Sequence, residues 1–170
     1  VIKNATAQAT ALTVNLGQDL ERLGRRLESE IAPLPHSGNT LRPHQVQLLD
    51  QIDRAIAAGE RHLVAQAPTG FGKTIVGATI ARRNCDDGRR TLFTVPALSL
   101  IDQTVEKFYA EGVRDVGVIQ ADHEMTNWSR PVQIASVQTL IRRQMPPIDM
   151  VIIDEVHRWF DAYEDYLAGP

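Results

Sequence analysis

A single cysteine, Cys85, stands among the 170 residues. That count excludes an internal disulfide framework and any cysteine-rich zinc site. The thiol lies in Asn84-Cys85-Asp86-Asp87-Gly88, the wording of a helix end and a turn, where an unreactive cysteine is expected. The histidines at 36, 44, 62 and 123 have no metal-ligand spacing, and no Ser-His-Asp or Cys-His set stands out. No apolar run approaches the roughly 18 residues of a membrane span. The chain opens Val-Ile-Lys-Asn-Ala-Thr, with neither an initiator Met nor a signal-peptide layout. The expectations are a cytoplasmic protein and an excised or processed piece. Neither sign of charge dominates: 18 Lys and Arg against 21 Asp and Glu leave a formal charge of -3. A nucleic-acid partner would have to be held by local groups, not by the field of the whole domain.

What is present is a globular composition, 43% apolar and 23% charged, in a chain long enough for one domain with a real core. Leu12, Leu16, Leu20, Leu23, Leu27 and Ile31 recur at spacings of three and four, one face of an amphipathic helix. Such a helix either docks on the main domain or serves a partner. A Pro-, Gly- and Ser-bearing linker follows, from Ala32 to Thr40. The expected division is an N-terminal helix in residues 1–35 and an α/β domain in residues 36–170.

Around one stretch the rest is organised: Ala67-Pro68-Thr69-Gly70-Phe71-Gly72-Lys73-Thr74, after the apolar run His62–Gln66 and before Ile75–Ala81. The pattern predicts strand, glycine-bearing loop, helix. In such a loop the backbone N–H groups turn inward on an anion, and the first turn of the helix adds unpaired N–H groups with a favourable dipole. Gly70 and Gly72 permit the wrap, Lys73 brings a point charge for the outer phosphates, and the Thr74 hydroxyl is placed for Mg²⁺. Ala67 stands where the pattern G-x-x-x-x-G-K-[ST] usually has its first Gly.

Before this loop, a helical pattern runs through Val46, Leu48, Leu49, Ile52 and Ile56, with Pro43 in its first turn and Gly59 at its end. After it the chain alternates. Strands are expected at Thr91–Val95, Val113–Gln120, Pro131–Ser136 and Met150–Ile153, with helices at Leu98–Tyr109 and Val137–Arg143. Residues 121–130 read as a loop, with Trp128 a local packing residue. The paired arginines Arg82-Arg83, Arg89-Arg90 and Arg142-Arg143 read as solvated surface. Alternation predicts a parallel sheet covered by helices on both faces, with all carboxyl ends on one edge. The last strand delivers Asp154 and Glu155 to that edge. Alone, Asp-Glu after a strand is a helix start or a solvated turn. Opposite a phosphate loop, Asp154 suits Mg²⁺ and Glu155 suits the orientation and deprotonation of a water.

Ala-Pro-Thr-Gly-Phe-Gly-Lys-Thr together with Ile-Ile-Asp-Glu-Val-His resembles the first RecA-like motor domain of superfamily 2 helicases and translocases, in a D-E-V-H variant, over roughly residues 41–160. The resemblance implies a RecA-like fold with ATP and Mg²⁺ as cofactors. It makes Lys73 and Glu155 catalytic, and Thr74 and Asp154 metal-binding. Nucleotide contacts fall to Pro68, Thr69, Gly70, Phe71, Gly72, Lys73 and Thr74, with Gln45 reading adenine, Arg42 stacking on it and His157 relaying between sites. Leu41-Arg42-Pro43-His44-Gln45 carries the adenine element. The segment from Thr94 to Gln103 resembles one that touches a nucleic-acid backbone, implicating Pro96, Ala97, Ser99 and Gln103. Ser136, Gln138 and Thr139 belong to a second such segment. Hydroxyls and amides of this kind position phosphates without reading sequence.

The family's Ser-Ala-Thr segment does not occur before Pro170, and the second motor domain that the resemblance implies is expected outside these 170 residues. The Pro-Thr-Arg-Glu-Leu wording of DEAD-box RNA helicases is absent at Pro96, which favours DNA over RNA as the partner. Two other classes stay open at this point: a phosphate-loop ATPase that never touches nucleic acid, and a scaffold that keeps only the fold.

Overall fold

The computed structural model describes residues 41–120, 123–140 and 147–156. The helix expected within residues 1–35, the linker after it, Arg142, Arg143 and His157 lie outside the described residues. Two compact units divide between Gly72 and Lys73.

In the first unit, helix α1 spans Pro43–Ala57. Proline at the first helical position has its φ already set and no N–H to leave unpaired. Leu48 and Leu49 form the buried side of the helix. The chain turns at Ala58 and Gly59, where φ reaches 90°. The strand expected at His62–Gln66 is not one: residues 61–68 are irregular, and Val64 is 53% exposed. An apolar run becomes a strand only through a backbone ladder, and the described ladders run among four later segments.

Those segments lie in the second unit. Helix α2 (Lys73–Asp86) leads to β1 (Thr91–Val95), then a 3-10 turn at Leu98–Leu100 and α3 (Ile101–Ala110). Strands β2 (Val116–Ile119) and β3 (Val132–Ser136), the short helix α4 (Val137–Leu140) and β4 (Met150–Ile153) complete the order. The sheet is parallel throughout, in the order β2-β3-β1-β4. Thr91 stands beside both Val132 and Met150, and Val95 beside Ser136, so the strands end together on one edge.

Side chains alternate along each strand. Phe93, Val95, Val116, Val118, Val132 and Ile134 face one way and meet Ala78 and Ala81 of α2 and Ile101, Val105 and Phe108 of α3. Leu92, Ile119 and Ala135 face the other way and meet Leu140 of α4, with Trp128, Ile148 and Val151 packed alongside. Helices thus cover both faces, and Trp128 is the packing residue its position suggested. The rings of Phe93 and Phe108 meet edge-on at 5.0 Å. Gly77 of α2 lies so close to Phe93 that an added Cβ would stand 2.5 Å from its ring.

Residues 123–131 are irregular in backbone but closely held. Val118 N–H donates to the Met125 carbonyl, and the buried Gln133 amide donates to the carbonyls of Asn127 and Arg130. Arg90, expected as plain solvated surface, clamps two loops instead. Its guanidinium donates to the carbonyls of Trp128 at 2.8 Å and Pro147 at 2.9 Å, while its N–H meets the Asp149 carboxylate. An arginine fork fits several carbonyls at once, which a reading of charge alone does not reveal. Among the described residues no helix is long and apolar enough to cross a membrane.

Candidate functional site

The first unit carries the glycine loop. Gln45 is 2% exposed. Its Oε1 accepts from Arg42 N–H at 2.9 Å and its Nε2 donates to the Phe71 carbonyl at 3.0 Å. The His44 ring packs on the Phe71 ring at 4.7 Å, and Phe71 N–H closes a turn onto the Pro68 carbonyl. The start of α1 therefore grips the loop at its one buried residue. Gly70 and Gly72 have φ of 81° and 87°, the left-handed region where a side chain is strained, so glycine is needed at both. Pro68, Thr69 and Gly70 are exposed, as is Arg42.

Helix α2 opens the second unit with Lys73 and Thr74, both half-buried. At the end of β4, Asp154 N–H donates to the Thr94 carbonyl and carries the β1–β4 ladder one residue further. Lys73 Nζ stands 3.7 Å from Glu155 Oε1, each side chain 37% exposed. This contact joins two motifs whose residues stand 82 positions apart in the chain, 155 less 73. Glu155 has φ of 57°, the one positive value at a residue other than glycine among the described residues. A left-handed non-glycine backbone costs about 1–3 kcal/mol and persists only where surroundings hold it.

Burial pushes the Asp154 carboxyl above the usual carboxylate range, and the neighbouring Glu155 charge adds to the effect. Lys73, the Glu155 backbone N–H and Lys107 pull it back down. Two adjacent acids short of positive charge are a place where a divalent cation relieves repulsion, and hydroxyl and carboxylate oxygens are the donors that Mg²⁺ prefers. Among the described residues no group of three or more His, Cys, Asp or Glu forms a cage for a metal. The donor set fits an ion that arrives carrying ligands of its own, such as phosphate oxygens.

The two other segments leave the same sheet edge from the neighbouring strands β1 and β3. Ser99 and Gln103 are exposed, Ala97 half-buried and Pro96 buried. Ser136 is fully buried, and its hydroxyl lies 3.1 Å from that of Thr139 and accepts from Thr139 N–H, capping α4. Gln138 is exposed and Thr139 half-buried. Sequence reasoning passed over His123, whose Nε2 meets Asp102 at the start of α3 at 2.8 Å while Nδ1 accepts from Met125 N–H. No local signal marks a pair 21 residues apart.

Residues 39–167 match the family model described as type III restriction enzyme, res subunit. A replication restart protein PriA from Chlamydia pneumoniae is 27% identical over 133 residues, 72% of this chain and 18% of that protein. Among solved structures, the UvsW helicase from bacteriophage T4 aligns with a TM-score of 0.62 at 20% identity, covering 88% of this chain and 55% of that one. The Sulfolobus solfataricus SWI2/SNF2 ATPase core, solved with double-stranded DNA, aligns with a TM-score of 0.60 at 18% identity, covering 74% and 28%. The chain spans less than a fifth of the length of the curated relatives it matches. These likenesses show the RecA-like α/β fold, and the match over three quarters of the residues means that the chain belongs to the type III restriction enzyme res-subunit family.

Proposed function

We propose that this chain binds ATP with Mg²⁺ and forms the first motor domain of an ATP-dependent nucleic-acid helicase or translocase of the D-E-V-H type, acting on DNA in preference to RNA. The observation that carries the reading is the approach of Lys73 to Glu155 at 3.7 Å beside Asp154, at the carboxyl edge of a parallel sheet. The glycine loop from Pro68 to Gly72 wraps the phosphates with its backbone N–H groups, and Lys73 balances their outer charge. Thr74 and Asp154 hold the metal, which supplies charge neutralisation on the phosphate oxygens when bound. Glu155 orients a water in line with the terminal phosphate and takes its proton. Gln45 and Arg42 meet the adenine, and His157 links the nucleotide to the strand.

Ser99, Gln103 and Gln138 present exposed amide and hydroxyl groups that suit a sugar-phosphate backbone. Pro96, Ala97, Ser136 and Thr139 shape those two segments. DNA is favoured because the segment at Pro96 lacks the DEAD-box RNA-helicase wording and the similar SWI2/SNF2 core was solved in complex with double-stranded DNA. In this reading residues 36–170 make up the motor domain, and residues 1–35 are a segment apart from it. A second RecA-like domain supplies the arginine that such reactions use, worth about 10³–10⁵ in rate.

The test is ATP hydrolysis by the full-length protein with and without DNA. Glu155→Gln should lower kcat about 10²–10⁴-fold while nucleotide binding persists. Stimulation by DNA should weaken steeply as salt rises. Hydrolysis indifferent to any nucleic acid, or undiminished in Glu155→Gln, would remove the proposal.

A further inference from the structure

We infer that Leu98 is the residue by which this chain tells a deoxyribose strand from a ribose strand, its methyl groups packing where a ribose would carry the 2′-hydroxyl. The inference rests on the nucleic-acid reading above and names the residue behind the preference proposed there. Three large apolar side chains are exposed among the described residues, and Leu98, 42% exposed, is the one in the second unit. It stands in the segment leaving β1, beside the exposed Ser99 and just before Gln103 in the first turn of α3. Its backbone is fixed. Pro96 is buried before it, and Ile101, 1% exposed, is buried after it. Leu100 N–H donates to the Ala97 carbonyl at 3.1 Å, and the Thr104 hydroxyl donates to the Leu100 carbonyl at 2.7 Å. The turn that carries Leu98 is therefore seated from both ends, and the side chain is presented outward.

The exposed polar groups of this face do not make the distinction. The Ser99 hydroxyl and the Gln103 and Gln138 amides suit a phosphate oxygen in either kind of strand, and each would also pair with a 2′-hydroxyl. That hydroxyl is the group by which a protein separates RNA from DNA. An aliphatic side chain has the opposite preference. It packs on the C2′ methylene of deoxyribose, whereas a hydroxyl at that carbon gives up water against a surface with neither donor nor acceptor. A wholly apolar pocket rejects an added hydroxyl by about 10²-fold. Leu98 stands on open surface, so part of the hydration survives, and the expected preference is about three- to ten-fold.

The experiment is titration of the full-length protein, by fluorescence anisotropy, with labelled oligodeoxyuridylate and oligouridylate of equal length, which differ only in the 2′-hydroxyl. The native protein is expected to bind the deoxy strand about three- to ten-fold tighter. Leu98→Ser, which offers the hydroxyl a partner, should bring the two affinities together. Leu98→Met, which keeps the apolar surface, should preserve the preference. An unchanged ratio in Leu98→Ser would overturn the inference. So would equal affinities or a preference for the ribose strand in the native protein. Loss of the preference in Leu98→Met as well would assign the discrimination to the shape of the turn and overturn it too. Binding of neither strand at any salt concentration would instead bring down the nucleic-acid reading, and the inference with it. Melting curves of the two variants, expected to match the native protein within a few degrees, separate a changed contact from a lost fold.

Discussion

Replacing Gly77 by Ala tests how closely the position of α2 governs the site that its first turn carries. The added Cβ would lie 2.5 Å from Phe93 Cε2 and 3.2 Å from Cδ2, whereas ordinary contact begins near 3.4 Å. Something must yield by about 0.9 Å, the difference between 3.4 and 2.5. Phe93 has little room, because its ring is 2% exposed and set edge-on against Phe108. Overpacking of this kind costs about 1–3 kcal/mol. Alanine in a helix interior returns about 1 kcal/mol relative to glycine. The net expectation is a loss of about 1 kcal/mol and a melting temperature lower by roughly 2–4 °C. The larger consequence is geometric. If the helix gives way rather than the ring, Lys73 and Thr74 move relative to Asp154 and Glu155, and a misplacement of about 1 Å can lower turnover by as much as 10²-fold. Melting followed by circular dichroism, paired with steady-state hydrolysis, separates the two effects. Phe93→Leu added to Gly77→Ala should restore part of the activity by making room. A Gly77→Ala protein as stable and as active as the original would refute the argument that α2 is seated by this contact.

Asp154→Asn addresses the crowding of acids. A carboxyl raised above its ordinary range favours the folded state most at low pH and loses that contribution as pH climbs through the elevated value. Asp154→Asn should therefore raise the melting temperature of the nucleotide-free protein at neutral pH, and the gain should shrink towards about pH 4. A gain of the same size at both pH values would contradict the assignment. Gln45→Leu strips the loop of its grip, leaving the Phe71 carbonyl and Arg42 N–H unpaired. A loss of about 1–3 kcal/mol is expected with weaker nucleotide binding, read by denaturant melts and fluorescence titration; unchanged affinity would show that the grip is dispensable.

The elements that sequence reading recovers best are those whose pattern is local. Pro43 with the apolar spacing to Ile56 marks α1, and the compact β-branched runs at Thr91–Val95 and Met150–Ile153 mark β1 and β4 with the same bounds. Val113–Gln120 overreaches because Val113, though buried, packs against the core just after the turn at Glu111 and Gly112 and not from a ladder. The run at His62–Gln66 misleads for a related reason: apolar content invites a strand, but pairing decides one. The motifs at Lys73 and Glu155 are legible as letters, yet their approach depends on the β1–β4 register and the seat of α2, which no local spacing encodes. The order β2-β3-β1-β4 and the Arg90 clamp are non-local in the same sense. The left-handed backbone at Glu155 is hidden too, since nothing in the letters Ile-Asp-Glu-Val distinguishes a strained glutamate from a relaxed one.

The central place of β1 bears on how the chain is made. Thr91 leaves the ribosome well before Val132 and Met150, the residues that flank it in the finished sheet. During synthesis its five-residue apolar segment waits, with backbone groups unpaired on both sides, until much later codons are read. Loop closure of this length slows assembly and prolongs exposure of a sticky segment. Chaperone dependence during translation should therefore concentrate on nascent chains that have delivered β1 but not yet β4.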